Sequence, residues 1–390
     1  MRKPYRLIIW GPGQLGGAIT RAVLKRDEFE IVGARVFNHQ KDGKDLGELV
    51  GMHPIGIQAT SSRDAILAME ADCVIYTPMP AAPSQDLDED IISLLQSGKN
   101  VISTAAHHNP SLPNHPATPP LLASRMRDAC HKGGSSLHGT GLHPGFMVER
   151  LVMTLTRALT SVDHIRFVQA IDFSLAPEGM WGGLASMGFG GAVADLSLAT
   201  PVLSARDLSC GAAIGNAAHA LHGASFADMR VESRLRGLPA TKNFRVGKTS
   251  IRKGSVAALH LTQRGYLDDR HFFTNEECWY LGPDQAYRGD NLPYGGFSAP
   301  LSYSIEIVGE PTKLQTQLEF EQSESINPFI SITVQAVLDA IGPVCESAPG
   351  VVINDARPRY QSDDRLPQIN SRFLSGAAYP YAGNVKAARS

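Results

Sequence analysis

The chain has 390 residues and a mass of 41.9 kDa, room for about two domains around a large core. With 43% hydrophobic residues, 19% charged residues and a mean hydropathy of -0.11, it has the composition of an ordinary globular protein, which excludes wholesale disorder. Lys and Arg number 36 against 38 Asp and Glu, a net charge of -2, so no global field draws nucleic acid or an anionic membrane and any anion site must be local.

The opening, MRKPYRLIIWGPG, holds only the apolar run Leu7–Trp10, too brief for a signal sequence or a membrane span. Cys73, Cys130, Cys210, Cys278 and Cys345 are scattered and never reach CxxC spacing, which suits free thiols in a reducing compartment. The expected setting is the cytoplasm, with no membrane or nucleic-acid partner.

Strand-like and helix-like segments alternate from the start. Tyr5–Trp10 reads as a strand; Leu15, Ala18, Ile19, Ala22 and Val23 then recur at helical spacing, and Ile31–Phe37 reads as the next strand. Asp72–Thr77 predicts a buried strand, Asp86–Gln96 a helix with acids in its first turn, and Asn100–Thr104 another strand. Five prolines within 109–120 exclude regular structure there. Ser135–Gly139 is a further strand, and Pro144–Leu159 a helix with one apolar face. This order implies a doubly wound parallel sheet.

From His164 the pattern changes to long alternating runs: His164–Ser174, Asn243–Ile251, Val256–Arg264, His271–Leu281, Leu301–Val308 and Lys313–Glu321. They predict an antiparallel or mixed sheet, with helices around Gly190–Ala199 and Gly211–His222. Pro328–Ile341 is apolar on nearly every face and is expected to stop at Gly342-Pro343, a buried helix returning to the first domain. The expected fold class is therefore α/β. A Rossmann domain covers residues 1–145 with 325–356, an α+β domain covers 146–324, and an arm or tail covers 357–390.

Gly11-Pro12-Gly13-Gln14-Leu15-Gly16 fits GxGxxG between a predicted strand and a predicted helix. Gly11 permits the tight turn, Gly13 lets backbone approach a diphosphate, and Gly16 lets helix and strand pack closely. The helix N-terminus supplies N–H donors, with Gln14 and Leu15 beside the diphosphate. About twenty residues on, an NAD site usually places an acid against the ribose; here Arg35 to Lys41 contain none. Asn38 can bond the ribose, and Arg35, His39, Lys41 and Lys44 can answer a 2′-phosphate, so the expected cofactor is NADP, with NAD possible.

GPGQLG, the stretch Gly43–Leu49, Tyr76-Thr77-Pro78, Gly98–Thr104, Gly139–Phe146, Met187–Gly190 and Ala348–Val351 together resemble the dihydrodipicolinate-reductase-like superfamily. The likeness is to its 2,4-diaminopentanoate dehydrogenase and amine dehydrogenase branch. The resemblance implies a Rossmann domain joined to a domain that holds substrate and provides dimer contacts, with hydride passing between nicotinamide and a carbon bearing nitrogen. It places Thr77 and Pro78 beside the cofactor, Thr104 and Ala105 near the nicotinamide, and the Gly139–Phe146 turn along the cleft. Two positions depart from that branch. Ala105-Ala106-His107-His108 stands where a glutamate is expected, and His143 where asparagine is common. The HHxxK motif of true dihydrodipicolinate reductases is missing.

Six of the thirteen histidines fall within residues 107–143, and His107, His108 and His143 follow predicted strands at their carboxyl ends, where doubly wound sheets bind ligands. Each is a candidate proton donor, because imidazole titrates near neutrality. Zinc is not expected, since no HxxxH, HExxH or closely spaced Cys-His pair occurs. Met180, Trp181, Met187 and Phe189 are the candidate walls of a substrate-covering loop. Glu149, in a first helical turn, is expected to be structural, and Glu276 and Glu277 receive no chemistry. The expected activity is NAD(P)-dependent hydride transfer to or from a C=N group. The alternatives are C=O or alcohol chemistry, or an idle dinucleotide-binding sensor or assembly protein.

Overall fold

A computed structural model describes residues 3–77, 85–104, 121–175, 181–224, 226–282, 300–321 and 327–352. Strands β1 (Tyr5–Trp10), β2 (Phe29–Arg35), β3 (Ala59–Thr60), β4 (Cys73–Tyr76), β5 (Asn100–Ser103) and β6 (Ser136–Gly139) alternate with helices α1 (Gln14–Val23), α2 (Leu46–Leu49), α3 (Arg63–Ala68), α4 (Gln85–Gln96) and α5 (Leu122–Gly133). Leu7, Ile8, Ile9 and Trp10 are all fully buried, as are Val74, Ile75 and Tyr76. Continuous apolar runs of this kind belong to parallel strands covered on both faces.

Beyond β6, Leu142–Val152 winds as a π-helix, with His143 itself extended at φ -142° and ψ 129°. It continues into α6 (Met153–Leu155) and β7 (Ser161–Asp172). The rest of this layer comprises α7 (Trp181–Ser186), α8 (Pro201–His222), β8 (Met229–Pro239), the hairpin β9 (Phe244–Val246) and β10 (Thr249–Ile251), β11 (Val256–Leu267), β12 (Arg270–Tyr280), β13 (Leu301–Glu310) and β14 (Leu314–Phe320). The chain then returns through α9 (Pro328–Cys345) to β15 (Gly350–Val351).

The first sheet has the order β15-β6-β5-β4-β1-β2-β3, with all neighbours parallel. The order of its strands switches sides between β1 and β4, and the crevice beyond those strand ends is where such sheets take ligands. The second sheet has the order β14-β13-β7-β12-β11-β8. Its neighbours are antiparallel except β7 and β12, which are parallel, so it is mixed.

Several local expectations are corrected. The Asn243–Ile251 run folds back at Gly247 (φ 54°) into a hairpin, and β8, α3 and α5 were not read from the sequence at all. Between Gly190 and Ala199 only a single 3₁₀ turn forms, Val193–Asp195, because Gly188 and Gly190 hold φ of 103° and 77°, outside the helical region. The helix expected over Gly211–His222 starts ten residues earlier with Pro201 in its first turn, where a missing N–H costs nothing. Helix α9 runs through Gly342-Pro343 to Cys345, since a proline in the last turn removes only one bond from a helix already anchored by burial.

Helix α9 buries Val337, Ala340, Ile341 and Val344 against Leu7, Ile9 and Ile19, so the chain's late helix completes the first sheet's core. Helix α8 brings Ala213, Ile214, Ala217 and Ala218 into the second core. A Cβ on Gly265 of β11 would lie 2.4 Å from Ile214, so the close seat of α8 on the sheet depends on glycine there. The arm expected over 357–390 lies outside the described residues, as does the proline-rich loop.

Candidate active site

The glycine turn is built as its spacing predicts. Gly11 has φ 93°, which disfavours a side chain, and its N–H donates to Arg35 O at 3.0 Å. A Cβ on Gly16 would lie 2.3 Å from Gly11 O and 2.6 Å from Thr77 Oγ1, whereas one on Gly13 would meet nothing within 4 Å. The first position closes the turn against helix α1; the second leaves open space over it. Thr77 locks the arrangement, its hydroxyl donating to Gly11 O at 2.9 Å. Helix α1 has Gly13 as N-cap, no side-chain cap and no acid in its first turn, so its leading N–H groups are available to an anion.

The residues after β2 surround a 3₁₀ turn, His39–Lys41, capped by Asn38 Oδ1 accepting from Gln40 N at 2.9 Å. Lys41 is half-buried and Lys44 exposed. The Arg35 guanidinium lies over the Trp10 ring at 5.6 Å and the Phe37 ring at 5.4 Å, with Phe37 51% exposed. Leu15 of the glycine turn and Thr104 beyond β5 both line a cavity of about 390 Å³ between the first sheet's strand ends and the inner face of the second sheet. This cavity joins the turn to the remaining candidate residues.

Thr140, Gly141, Leu142 and His143 enter the cavity from the turn after β6, Gln169 and Ile171 from β7, Trp279 from β12, and Leu203 and Arg206 from α8. His143 is stacked on Phe167, with ring centroids 4.8 Å apart. Its Nε2 lies 2.9 Å from Glu277 Oε1. A carboxylate only accepts, so Nε2 carries the proton and Nδ1 is the basic nitrogen. Among the described residues Nδ1 has no hydrogen-bond partner, and neither does Thr140 Oγ1. Buried polar atoms are normally satisfied, so these two residues, both among those lining the cavity, are the candidates there for a polar partner.

Glu277, fully buried on β12, is the hub of this wall. Its Oε2 accepts from Arg206 Nε at 2.7 Å, and its Oε1 accepts from Cys210 Sγ at 2.9 Å and Asn275 Nδ2 at 3.3 Å besides His143. Arg206 also donates to His143 O at 3.0 Å and Gln169 Oε1 at 3.1 Å, and it lies 5.8 Å from the Trp279 ring. Burial alone would raise the Glu277 carboxyl, but Arg206 and His143 reverse this and hold it well below the usual carboxylate range. Burial, followed by repulsion from Arg206, pushes His143 below its ordinary value despite the opposing pull of Glu277. The site therefore presents a neutral imidazole backed by an ionised carboxylate, with Arg206 balancing the charge.

His143, Cys210 and Glu277 place three donor atoms within 4.8 Å of one another. That set is one zinc accepts, and sequence spacing did not show it. The Arg206 guanidinium already bonded to Glu277 disfavours a further cation there.

Of the other candidates, Met187 lines the cavity. Phe189 is buried in the core, packed edge to face on Phe173 at 6.1 Å, and Trp181 packs at that core's margin as the first residue of α7; neither is among the lining residues. Pro78, Ala105, His107, His108 and Met180 lie outside the described residues. Sequence reading missed Glu277, Arg206, Gln169 and Trp279. The signal was an acid inside an apolar strand, Phe272-Phe273-Thr274-Asn275-Glu276-Glu277-Cys278-Trp279-Tyr280, because a carboxylate is buried only with partners.

Residues 5–104 match the family model of dihydrodipicolinate reductase, N-terminus. An amine dehydrogenase of Streptomyces virginiae is 30% identical over 168 residues, 43% of this chain, and the match spans only 46% of that relative. The structure of an amine dehydrogenase from Mycobacterium smegmatis superposes with a TM-score of 0.67 at 18% identity, covering 92% of this chain and 97% of that one. Myo-inositol 2-dehydrogenase from Lactobacillus plantarum gives 0.51 at 12% identity, covering 91% and 93%. A 168-residue stretch of the sequence is thus similar to one amine dehydrogenase, and the fold is similar to that of another. The Rossmann-type sheet with its second, mixed sheet is the fold shared with these structures.

Proposed function

We propose that this chain is an NAD(P)-dependent oxidoreductase that transfers hydride to or from a C=N group of a small organic molecule, with His143 moving the proton. The observation that carries this reading is the His143 imidazole in the wall of the cavity that Leu15 and Thr104 also line, its Nδ1 unpartnered and its Nε2 bonded to Glu277.

Gly11, Gly13, Gln14, Leu15 and Gly16 fit a dinucleotide diphosphate: the open space over Gly13 admits it, and the uncapped start of α1 supplies N–H donors. Asn38 with Lys41 and Lys44 would meet the adenosine ribose and a 2′-phosphate, which favours NADP. Thr77 and Pro78 would border the cofactor, and Thr104 and Ala105 its nicotinamide, whose chemistry when bound is to give or take the hydride. In amine oxidation, His143 Nδ1 accepts the proton leaving the substrate nitrogen; in the reverse direction it returns it. Glu277 stabilises the imidazolium that forms, and Arg206 and Asn275 hold Glu277 in position. The apolar walls of Leu142, Ile171, Leu203 and Trp279 exclude water from the reacting atoms. His107 and His108 remain alternative proton carriers. A homodimer formed through the second sheet's layer, in the cytoplasm, is the expected assembly and setting.

A carbonyl or alcohol substrate is the second reading. It is favoured by Ala105-Ala106-His107-His108 standing where the amine dehydrogenase branch is expected to carry a glutamate. The test is absorbance at 340 nm with both reduced coenzymes, across ketones with and without ammonia and across amines and alcohols. Ammonia-dependent oxidation of NADPH supports the first reading, and ammonia-independent turnover the second. Tight coenzyme binding with no turnover on any substrate would identify an idle binding protein.

A further inference from the structure

Glu277 is held by a chain of side chains that begins on another element. Alternate residues of a strand share a face, so Asn275 and Glu277 of β12 look the same way, and the register sets Gln263 of β11 directly opposite Asn275. Helix α8 lies across that face. Its Ile214 packs over Gly265, two residues beyond Gln263, and Asp207, earlier on the same helix, meets Gln263 itself.

The contacts run in one direction. Gln263 Nε2 donates to Asp207 Oδ1 at 2.7 Å and to Asp207 O at 2.8 Å. Gln263 Oε1 accepts from Asn275 Nδ2 at 3.1 Å, and the same Nδ2 donates to Glu277 Oε1 at 3.3 Å. Asp207 is 9% exposed and the other three at most 1%. Carboxylates accept, so an acid at each end leaves a single sense for both amides. Asn275 keeps that sense although its Oδ1 is buried with no hydrogen-bond partner among the described residues. A buried carbonyl is normally satisfied, so the orphaned oxygen marks an amide held for its N–H groups.

We propose that Asp207 is a positioning residue for the His143–Glu277 pair, acting through Gln263 and Asn275; its part in the reaction rests on the proton-transfer reading given above. Amides carry no proton between carboxylates, so the chain works by direction. It keeps an N–H, rather than a carbonyl, on the Glu277 oxygen that also accepts from His143. In Asp207→Asn the new amide can donate to Gln263, both amides of the chain can turn, and Asn275 Oδ1 then faces Glu277. A carboxylate that loses a donor and meets a carbonyl holds the imidazolium form of His143 more strongly. The other ionisable groups facing Glu277 are Arg206 and Cys210 of α8, with Tyr303 of β13 6.2 Å from the His143 ring, and all are kept in this variant.

The test is an NMR pH titration of the full chain with labelled histidines and no ligand, the His143 signal being identified by its absence from His143→Asn. In D207N the His143 midpoint should move to higher pH, opposite to the movement expected for Glu277→Gln. D207E keeps an acceptor for Gln263 and should restore the wild-type midpoint. Q263M cuts the chain and should shift the midpoint as D207N does, which gives a reading if D207N fails to fold. On a substrate found by absorbance at 340 nm, D207N should lower kcat below neutral pH by about tenfold, with KM and coenzyme affinity unchanged. Midpoints unchanged in both D207N and Q263M, or a midpoint as displaced in D207E as in D207N, would overturn the proposal. A displaced midpoint with wild-type kcat would support the coupling and instead overturn His143 as the proton carrier.

Discussion

Glu276 and Glu277 are adjacent on one strand and serve opposite sides of a sheet: Glu276 is bonded to Arg166 and His260, Glu277 to Arg206 and His143. Each carboxylate has a basic side chain on both of its oxygens, yet only Glu277 is joined to a ring that lines the candidate active cavity. Substituting the two residues should therefore have separable effects. Glu277→Gln leaves Arg206 without its counter-charge, and breaking a buried pair in this way costs about 3–5 kcal/mol. Glu276→Gln should cost much less, because Arg166 is 40% exposed and water can replace its partner. Denaturant midpoints of the two variants check this order.

His143→Asn should keep coenzyme affinity and lower turnover by about 10²–10⁴-fold, the usual contribution of a positioned acid or base. Because burial and Arg206 hold His143 below its ordinary range, substrate oxidation by the wild type should lose rate only on the acid side of that range. Glu277 raises the imidazole, so in a folded Glu277→Gln enzyme the acid limb should move to still lower pH. A pH–rate profile of kcat reads both effects, and an unchanged limb would remove Glu277 from the proton path.

The two glycines of the turn predict opposite signatures. Gly13→Ala adds a Cβ that meets nothing in the protein and should leave the melting temperature unchanged while weakening coenzyme binding about tenfold or more. Gly16→Ala drives a Cβ into Gly11 O and Thr77 Oγ1, so it should lower both stability and affinity. Paired thermal melts and NADPH titrations separate the two.

Glu149 gives a pH-dependent stability test away from the cavity. It is buried with Asn216 Nδ2 donating to its Oε1, and burial pushes its carboxyl up from 4.5 to about 7. A carboxyl raised on folding stabilises the protein fully below its unfolded value and loses that contribution as pH rises through the folded one. Relative to Glu149→Gln, the wild type should therefore lose up to about 3 kcal/mol between pH 4.5 and 7 and change little above. Urea midpoints of both proteins across this range check the difference.

Cysteine chemistry should be confined to one position among the five. Cys73, Cys130, Cys210 and Cys278 are buried, and burial raises each thiol, whereas Cys345 is half-buried near the end of α9. Alkylation of the native protein should label Cys345 first and reach Cys210 only on unfolding, as peptide mass mapping would show.

The first sheet was legible because its strands are short apolar runs, and the glycine turn because the φ of Gly11 and the close packing at Gly16 each answer a steric demand, while Gly13 leaves open space over the turn. Strand β8 was not legible: Arg230, Glu232, Arg234 and Arg236 alternate with half-buried Val231, Ser233 and Leu235, and the charges masked the pattern. The parallel pairing of β7 with β12 was equally hidden, because a hundred residues separate them and periodicity does not carry register. In the candidate site, His143 was found from its place after a strand. Glu277, Arg206 and Gln169 come together only when β12, α8 and β7 converge, and nothing in their local sequence spacing reports that meeting.

Helix α9 and strand β15 belong to the first sheet's layer although they follow the whole second sheet in the chain. As the chain leaves the ribosome, the amino-terminal half must therefore wait with Leu7, Ile9 and Ile19 uncovered while some two hundred further residues emerge. During synthesis that waiting surface is the natural foothold for a chaperone, and a chain truncated before Pro328 should aggregate rather than yield a free-standing nucleotide-binding fragment.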